Sequence, residues 1–433
     1  MYNIISLFSG AGGLDAGFLL NKNSTVQFAN EIRNAPVKTY SKNFNIPVVY
    51  NEREHVPPYV LQKDIRKTDL HTVARTMKNK ADILTGGPPC QDFSVLRGKS
   101  KRKGILTERG RLFLQFIRAV RAFRPKAFVF ENVPGLASAN NGAALQRIIT
   151  ALQSPGKEIE YALTFAGTVN ATAAGVPQNR NRLIIIGVRK DIKCEGETTI
   201  GDPVLKKYPL TPIEVLEGKP LHRLKKRYAE IMEAYEPLAA NPPSRKAKEW
   251  AHREWNQLSF DPITDYILLN KIQNSTQKEI RTAMDKHKEI LQMLGYYRRP
   301  ANNTEWPDGS NRIPAEKETT KQKLAVIPPG GNYMFTKGTP WEIKGLISNV
   351  YKRIHPLVPA PTVIAYGGGG TWGYHYERNR GRLTNRERAR LQSFPDWFLF
   401  EGNMQEVRAQ IGEAVPPLLG YAIAEQITRT VLE

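Results

Sequence analysis

The sequence is poor in cysteine and contains no long hydrophobic run. Cys90 and Cys194 are its only cysteines, and no CxxC pair is present. Two such residues form neither a disulfide framework nor a four-cysteine zinc site, so we expect a reducing compartment and no metal. The longest apolar stretches, such as Leu183–Ile186, are far shorter than the roughly 18 residues of a membrane span. The N-terminus also lacks the basic start, apolar core and cleavage site of a signal peptide, which predicts a chain that stays in the cytoplasm and spans no membrane.

Acidic residues are outnumbered. The chain has 63 Lys and Arg against 41 Asp and Glu in 433 residues, which gives a net charge of +22. A surplus of this size indicates a polyanionic partner. Composition alone leaves DNA, RNA and an anionic membrane surface open.

The first 190 residues alternate strand-like runs with helical stretches. Arg111–Phe123 predicts an amphipathic helix. The predicted strands are Ile4–Phe8, Val26–Ala29, Asp82–Thr85, Ala127–Phe130 and Leu183–Val188. Strands separated by helices predict an α/β fold with a doubly wound parallel sheet, whose ligands bind at the carboxyl ends of the strands. From about residue 191 this rhythm is lost, which predicts a second, irregular domain or a long insertion.

A glycine-rich turn follows the first predicted strand. It runs over Phe8, Ser9, Gly10, Ala11, Gly12 and Gly13, and its glycines let a ligand approach the backbone, although a plain tight turn is an alternative. Glu31 follows about twenty residues later, where a carboxylate can bind ribose hydroxyls. A dinucleotide site would have a third glycine at position 15; Asp15 disfavours a pyrophosphate and suits a nucleoside ligand with little negative charge. Asp64 and Ile65 are candidate adenine contacts, although a surface aspartate is an equally good interpretation.

Cys90 follows two glycines and two prolines directly after the Asp82–Thr85 strand. The prolines stiffen a loop at the edge where substrates bind, which favours a nucleophile over a structural thiol. A protease-type cysteine needs an imidazole base, and no histidine lies between His71 and His222. The pattern therefore indicates a thiol nucleophile outside the protease class.

Polar residues flank the next two strands. Glu131 ends one strand, and its apolar neighbours favour a neutral, proton-donating carboxyl; a turn or capping residue is the alternative. Gln178–Arg182 opens the other strand. Alternate residues of a strand share a face, which predicts that the Arg180 and Arg182 guanidiniums lie side by side, unless they are a surface pair.

A basic segment lies between these motifs. Arg97–Arg124 contains ten Lys and Arg and one acidic residue, Glu108. Positive charge next to Cys90 would stabilise a thiolate and would also bind phosphates. A solvated charged face is the alternative.

Together and in this order, the segments resemble the cytosine-5 DNA methyltransferase family, in particular its bacterial restriction-modification members. The resemblance covers residues 3–190 and about 353–433. Its motifs are FSGAGGLDAGF, GGPPCQDFS, ENVPG, QNRNRLIIIG, RLTNRERARLQSFPDWF and QIGEAVPP. It implies a Rossmann-like S-adenosylmethionine-dependent domain over 1–190, target recognition by 191–375, and a segment 376–433 that completes the catalytic domain.

The resemblance also implies roles for single residues. Cys90 matches the nucleophile, Glu131 the acid, and Arg180 and Arg182 the paired arginines. The cofactor S-adenosylmethionine, which leaves as S-adenosylhomocysteine, would contact Phe8, Ser9, Gly10, Ala11, Gly12, Gly13, Glu31, Asp64, Ile65, Pro89, Leu112 and the position of Glu413. The expected DNA contacts are Ser94, Leu96, Arg97, Lys99, Lys101, Arg102 and Arg109.

The implied reaction is methyl transfer to C5 of a cytosine that is flipped out of duplex DNA, through a covalent bond between Cys90 and C6. Glu413 departs from the family, which usually has asparagine there, and its carboxylate would pair with the ammonium of the cofactor or repel the cofactor's carboxylate. Arg353, Tyr366 and Trp372 are candidate base readers by location, and Arg378–Arg390 is expected to flank the DNA.

The expected partner is double-stranded DNA, bound by a monomer that acts near the bacterial nucleoid. A cognate restriction endonuclease is expected to act on the same DNA sequence. Transfer RNA is the alternative substrate, although the long recognition segment argues against it. A catalytically silent DNA-binding relative is the other alternative, and the intact Cys90, Glu131 and Arg182 argue against that.

Overall fold

A computed structural model describes most of the chain, and the predicted active-site cysteine falls outside it. The described residues are 1–89, 112–194, 198–302, 305–344, 350–365 and 372–432. Cys90 and all seven predicted DNA contacts, from Ser94 to Arg109, lie outside this range, as does Tyr366.

The chain divides into two compact units. Unit 1 comprises Met1–Ala174, Asn181–Gly201 and Ala414–Glu433, and unit 2 comprises Gly175–Arg180 and Asp202–Glu413. The predicted boundaries at residues 190 and 375 separate catalytic from target-recognition regions. The two compact units do not test such a functional division, so these boundaries stay a prediction.

Unit 1 is built on a mixed sheet. Within the described residues, its largest sheet has eight strands in the order β3-β4-β2-β1-β5-β6-β9-β7. The strands of the chain are β1 Tyr2–Leu7, β2 Ser24–Glu31, β3 Val48–Val49, β4 Tyr59–Gln62, β5 Ile83–Gly86, β6 Ala127–Asn132, β7 Tyr161–Asn170, β8 Gln178–Asn179, β9 Asn181–Arg189, β10 Lys352–Arg353, β11 Ala360–Pro361 and β12 Trp372–Tyr374.

Helices occur in both units and predominate in unit 2. They are α1 Gly13–Leu20, α2 Asn34–Phe44, α3 Leu70–Thr76, α4 Phe113–Phe123, α5 Ala143–Gln153, α6 Pro203–Lys207, α7 Pro212–Glu217, α8 Lys225–Glu233, α9 Glu236–Ala240, α10 Arg245–Arg253, α11 Pro262–Leu269, α12 Gln277–Met293, α13 Glu318–Ala325, α14 Asn385–Leu391, α15 Met404–Glu413 and α16 Pro417–Ile427.

Apolar residues cover both faces of the sheet, as a doubly wound fold requires. In β4, Tyr59 and Leu61 join the larger core with α3, α4 and α5, whereas Val60 joins the smaller core with α2. Alternation along the strand places these side chains on opposite faces. The predicted α/β class with a large, mainly parallel sheet is confirmed.

One expectation about the sheet is wrong. The Leu183–Val188 run lies in β9, which pairs antiparallel with β6 and with β7, so the sheet is not wholly parallel. A buried apolar run has the same composition in either direction, and the sequence does not distinguish the two. Within this eight-stranded sheet, β3, β4 and β7 were also not predicted.

The C-terminal helix α16 packs against α1 within unit 1. A Cβ on Gly17 would lie 2.2 Å from the Pro417 carbonyl oxygen, and one on Gly420 would lie 2.4 Å from the Leu14 carbonyl oxygen. The two helices therefore approach backbone to backbone, which only glycine permits at these positions. Leu419 of α16 is fully buried.

Unit 2 has several arginines in its core. Arg386 pairs with Asp308 at 2.9 Å and lies over the Trp306 ring, with its guanidinium carbon 4.0 Å from the ring centroid. Arg390 pairs with Asp396 at 2.6 Å. A guanidinium enters a core when a carboxylate and carbonyl groups satisfy its donors.

These arginines correct two expectations. Arg353 was a candidate base reader, but it is fully buried and donates to the backbone carbonyls of Leu324 and His375. Arg386 and Arg390 lie in the segment expected to flank DNA, and they too are fully buried. None of the helices among the described residues is long and apolar enough to cross a membrane.

Candidate active site

The predicted site residues of unit 1 converge on one edge of the sheet. Strands β1, β5 and β6 are parallel neighbours, with Leu7 paired to Gly86 and Gly86 to Phe130, so their carboxyl ends lie together. The antiparallel β9 begins at the same edge, where Leu183 pairs with Asn132. Because β9 runs antiparallel to its neighbours, its first residues lie at the edge of the sheet where the parallel strands end.

The glycine-rich turn is joined to Glu31. Gly10 N donates to Glu31 Oε2 at 3.0 Å, and Ile32 N and Arg33 N donate to Oε1 at 3.1 and 3.0 Å. A Cβ on Gly10 would meet nothing within 4 Å, whereas one on Gly12 would lie 2.5 Å from the Phe44 ring. Gly12 is therefore required for packing, and Gly10 leaves open space in which a ligand can approach the backbone.

Asp15 does not face this open space. It is 1 % exposed and accepts hydrogen bonds from Ser6 at 2.5 Å, Thr85 at 2.9 Å and Tyr40 at 3.0 Å. Burial raises the pKa of the carboxyl, and the three hydroxyl donors oppose that shift. Asp15 thus links β1, α1, α2 and β5 beneath the turn, and that it disfavours a pyrophosphate stays a prediction.

Other predicted cofactor residues are spread along the same half of unit 1. Asp64 caps the turn after β4 by accepting from Arg66 N at 3.0 Å, and the Arg66 side chain lowers its pKa. Ile65 is buried, Leu112 is half-buried at the start of α4, and Pro89 is exposed. The contacts of Asp64 neither require nor exclude the predicted role in binding adenine.

Glu131 and Arg182 form an ion pair at the edge of the sheet. Arg182 Nε lies 2.8 Å from Glu131 Oε1, and each side chain is 12 % exposed. Burial lowers the pKa of the Arg182 guanidinium, and Glu131 opposes that shift. The expectation of a neutral Glu131 rested on its apolar neighbours and did not include this guanidinium, and the protonation state of Glu131 stays a prediction.

Gly87 makes room for this carboxylate. A Cβ on Gly87 would lie 2.6 Å from Glu131 Oε2, closer than non-bonded atoms approach. Asn132 Nδ2 donates to the Pro88 carbonyl at 3.2 Å, which joins the loop leading to Cys90 to the end of β6. No role was predicted for Gly87 or Asn132. The available signal was their position, since Gly87 precedes Cys90 by three residues and Asn132 directly follows Glu131.

Arg180 and Arg182 do not share a strand. β8 ends at Asn179 and pairs with β11, whereas β9 starts at Asn181 and pairs with β6. Arg180 belongs to unit 2, is fully buried, and donates to the carbonyls of Val363 at 3.0 Å and Gly412 at 2.9 Å. The premise of one continuous strand with both guanidiniums on a shared face is therefore wrong.

Glu413, which departs from the family pattern, is exposed at the end of α15 in unit 2. The preceding glycine is tightly packed, because a Cβ on Gly412 would lie 2.2 Å from Ala365 N. Among the described residues, no group of three or more histidine, cysteine or acidic side chains is placed to hold a metal ion.

Comparison with known proteins agrees with this arrangement. The family model for C-5 cytosine-specific DNA methylase matches residues 2–429. The chain is 44 % identical to the DNA (cytosine-5-)-methyltransferase M.ApeKI of Aeropyrum pernix, over 99 % of each chain. It is 34 % identical to the type II methyltransferase M.NgoFVII of Neisseria gonorrhoeae, over 98 % of this chain and 86 % of that one.

Solved structures share the fold. A candidate DNA modification methyltransferase encoded within an E. coli prophage matches with a TM-score of 0.60 and 20 % identity over 100 % of both chains. S. pombe Dnmt2 methyltransferase matches with a TM-score of 0.50 and 13 % identity over 99 % of both chains. Family membership implies S-adenosylmethionine as methyl donor and DNA as substrate. The chain therefore belongs to the C-5 cytosine-specific DNA methylase family, as a DNA (cytosine-5-)-methyltransferase of the type II restriction-modification kind.

Proposed function

We propose that this enzyme methylates C5 of a flipped-out cytosine within a specific duplex sequence, through a covalent bond between Cys90 and C6. The observation that carries the proposal is the buried Glu131–Arg182 pair at the sheet edge, beside the Gly87–Pro89 loop that leads to Cys90. Polar groups of opposite charge held at that edge suit a ring whose N3 and O2 gain negative charge during attack at C6.

The open glycine turn supports the cofactor assignment. Glu31 would hold the ribose hydroxyls of S-adenosylmethionine, and the backbone at Gly10, where a side chain would meet no neighbour, would lie against the ligand. Asp64 and Ile65 would contact adenine, and Pro89 and Leu112 would line the same pocket. The cofactor supplies a methyl group on a positively charged sulfur.

The protein residues would act on the base in sequence. The Cys90 thiolate adds to C6, and the ring electrons move toward C5 and N3. Cytosine N3 is an acceptor, so it binds Glu131 only when that carboxyl carries a proton. We therefore propose that the Glu131–Arg182 pair separates as the base enters, and that Arg182 then donates to O2. C5 would then take the methyl group that the cofactor supplies, as the bond between that methyl group and the cofactor sulfur breaks. Loss of the C5 proton to solvent and elimination of Cys90 as a thiolate would complete the reaction.

Arg180 would act as a positioning residue. Its guanidinium connects the segment before β9 with the carbonyls of Val363 and Gly412, and full burial leaves no surface for a substrate. Glu413, next to Gly412, would lie near the methionine part of the cofactor, where its carboxylate pairs with the ammonium or repels the carboxylate.

We propose that the basic segment after Cys90 and the 191–375 region bind DNA. Ser94, Leu96, Arg97, Lys99, Lys101, Arg102 and Arg109 would contact the duplex, and Leu96 or Arg97 would fill the vacated stack. A flipped base costs a few kcal/mol of stacking and pairing, which such contacts offset. We further propose that a monomer acts in the cytoplasm at the nucleoid and protects host DNA from an endonuclease with the same target.

Methyl transfer from tritiated S-adenosylmethionine tests the substrate. Unmethylated genomic DNA should take up label, and bulk transfer RNA should not; label in RNA alone would contradict the proposal. Bisulfite sequencing of DNA from cells that express the protein should then show 5-methylcytosine at one short sequence. The Cys90→Ala variant, prepared alongside, should transfer no label to either nucleic acid.

A further inference from the structure

Unit 2 contains a cavity of about 300 Å³ between the end of α10, the loop at residues 329–331 and the segment after β10. Trp250, Glu254, Lys352 and His355 line it together with apolar residues that include Leu269 and Phe335. No role assigned above uses these side chains.

His355 presents a buried donor to this cavity. It is 6 % exposed, and Leu357 N donates to its Nδ1 at 3.0 Å, so the ring proton lies on Nε2. Among the residues that the structure describes, none is a hydrogen-bond partner of Nε2. Burial, reinforced by the charge of Lys352, lowers the pKa of His355 to about 3. The imidazole is therefore neutral and carries one fixed, unused N–H.

Glu254 presents an acceptor beside that donor. Within the described part of the chain, its buried Oε1 forms no hydrogen bond of ordinary geometry and lies 3.7 Å from His355 Nε2, beyond the range of a direct hydrogen bond. Burial raises the pKa of Glu254, and the Trp250 side chain opposes that shift. A donor and an acceptor thus stand side by side without bonding each other. Buried polar groups of this kind usually have a partner, so the pair indicates a ligand that binds both.

The side chains that line the cavity restrict the charge and shape of a ligand that could bind there. The ammonium of Lys352 opposes a cation, and the carboxyl of Glu254 opposes a phosphate or another anion. Leu269 and Phe335 supply apolar surface for a ring. The volume lies at the small end of the range for ligand pockets, which suits one heterocycle. Nucleobases are neutral planar rings that carry an acceptor next to a donor on one edge.

We propose that this cavity is a nucleobase-binding site, in which one base edge accepts from His355 Nε2 and donates to Glu254 Oε1. The inference rests on the proposed function, because duplex DNA is the usual source of bases for this enzyme. A free nucleoside presents the same edge, and the experiment below separates the two sources.

The test follows the His355 ring nitrogens by NMR in full-length protein labelled with ¹⁵N-histidine. S-adenosylhomocysteine is present at saturation, so that nucleosides do not occupy the proposed cofactor site. The four 2′-deoxynucleosides are titrated singly, and then a duplex that the enzyme methylates. His355 is assigned from its missing signal in His355→Gln and, independently, from its shift in Glu254→Ala.

We expect at least one nucleoside to shift the Nε2 signal, and Glu254→Ala to weaken that binding at least tenfold. The matched control is Glu249→Ala, which removes an exposed carboxylate of α10 that pairs with Arg245 and Lys246 and should leave binding unchanged. A shift with the duplex identifies DNA as the source, and a shift with nucleosides alone identifies a free ligand.

Two results would overturn the inference: a His355 signal that none of these ligands moves, or equal losses in Glu254→Ala and Glu249→Ala. Tritium transfer is measured on the same preparation. If the His355 signal does not move in protein that methylates DNA, this inference alone is contradicted. If the protein methylates no DNA, the proposed function is contradicted.

Discussion

Buried arginines serve different ends in the two units. In unit 1, Arg182 pairs with Glu131 at the edge of a sheet, 12 % exposed and beside a loop. In unit 2, Arg386 and Arg390 are fully buried among carboxylates, carbonyls and aromatic rings. In unit 1 the core around the sheet is apolar, and the Glu131–Arg182 pair lies at the edge of the sheet. In unit 2 the guanidiniums of Arg386 and Arg390 are part of the core itself.

The comparison changes the meaning of the net charge of +22. Three arginines of unit 2 that looked like a surface for DNA, Arg353, Arg386 and Arg390, are internal. Positive charge counted along a sequence therefore overstates the charge that meets a phosphate backbone. The predictions below test this division, from the largest expected effect to the smallest.

Glu131→Gln should lower the single-turnover rate of methyl transfer by roughly 10²- to 10⁴-fold, the usual range for loss of a general acid. The amide cannot protonate N3 and no longer holds Arg182 by charge. Rates are measured with tritiated S-adenosylmethionine under saturating DNA. Cofactor affinity, measured by calorimetry, should change little.

The control for that variant is Glu160→Gln. Glu160 is an exposed carboxylate of unit 1 that pairs with Lys190 at 2.6 Å, so its loss should leave the rate within twofold of wild type. Equal rates for Glu131→Gln and Glu160→Gln would contradict the assignment of the site.

Arg390→Ala should lower the free energy of unfolding by about 3–5 kcal/mol, because it leaves Asp396 as a buried unpaired charge. Urea denaturation measures the loss. The slope of log affinity for DNA against log salt should not change, since each lost phosphate contact would reduce it by about 0.9. A reduced slope with unchanged stability would mean that Arg390 contacts DNA.

Gly87→Ala should lower the methyl-transfer rate by roughly 10²-fold, the cost of displacing a catalytic group by about 1 Å. The added methyl would lie 2.6 Å from Glu131 Oε2, so the carboxylate has to move. Gly167→Ala is the control, because its methyl would only touch the Phe165 ring at 3.4 Å. A normal rate in Gly87→Ala would show that the position of Glu131 is not critical.

His287 should make the stability of unit 2 depend on pH. Its Nδ1 lies 3.0 Å from Glu214 Oε1 and its Nε2 3.0 Å from the Tyr208 carbonyl, so both nitrogens face acceptors. Burial opposes the charged ring, but Glu214 outweighs it and raises the pKa above 6.5. Stabilisation is therefore complete below pH 6.5 and is lost as the pH rises through the folded-state value.

Thermal unfolding between pH 6 and pH 9 checks this expectation. The melting temperature of wild type should fall more steeply with pH than that of His287→Gln, which has no proton to lose at this position. Parallel curves for the two proteins would mean that His287 is neutral in the folded state.

Much of unit 1 followed from the sequence, and its exceptions have physical causes. The sequence motifs mark the carboxyl ends of β1, β5 and β6: glycines follow the first, a cysteine after two prolines follows the second, and a glutamate ends the third. These ends lie together because neighbouring parallel strands end at the same edge of a sheet. The direction of β9 and the short β3 and β4 depend on long-range pairing, which no local pattern encodes. Arg180 was misplaced because it lies between β8 and β9, where strand alternation does not apply.

Unit 2 could be predicted only as irregular. The burial of Arg386 and Arg390 depends on Asp308, Trp306 and Asp396, which meet them only in the folded chain. The cavity beside His355 likewise combines residues that are distant in sequence. No spacing along the chain signals such contacts.

The central claim is that Cys90 forms a covalent bond with cytosine in DNA. A long duplex in which every cytosine is 5-fluorocytosine tests it without knowledge of the target sequence, because fluorine cannot leave as a cation and elimination stops. With S-adenosylmethionine present, wild-type protein should migrate on a denaturing gel as a stable protein–DNA adduct, and Cys90→Ala should not. An adduct that persists in Cys90→Ala, or no adduct from wild-type protein that methylates ordinary DNA, would contradict the account.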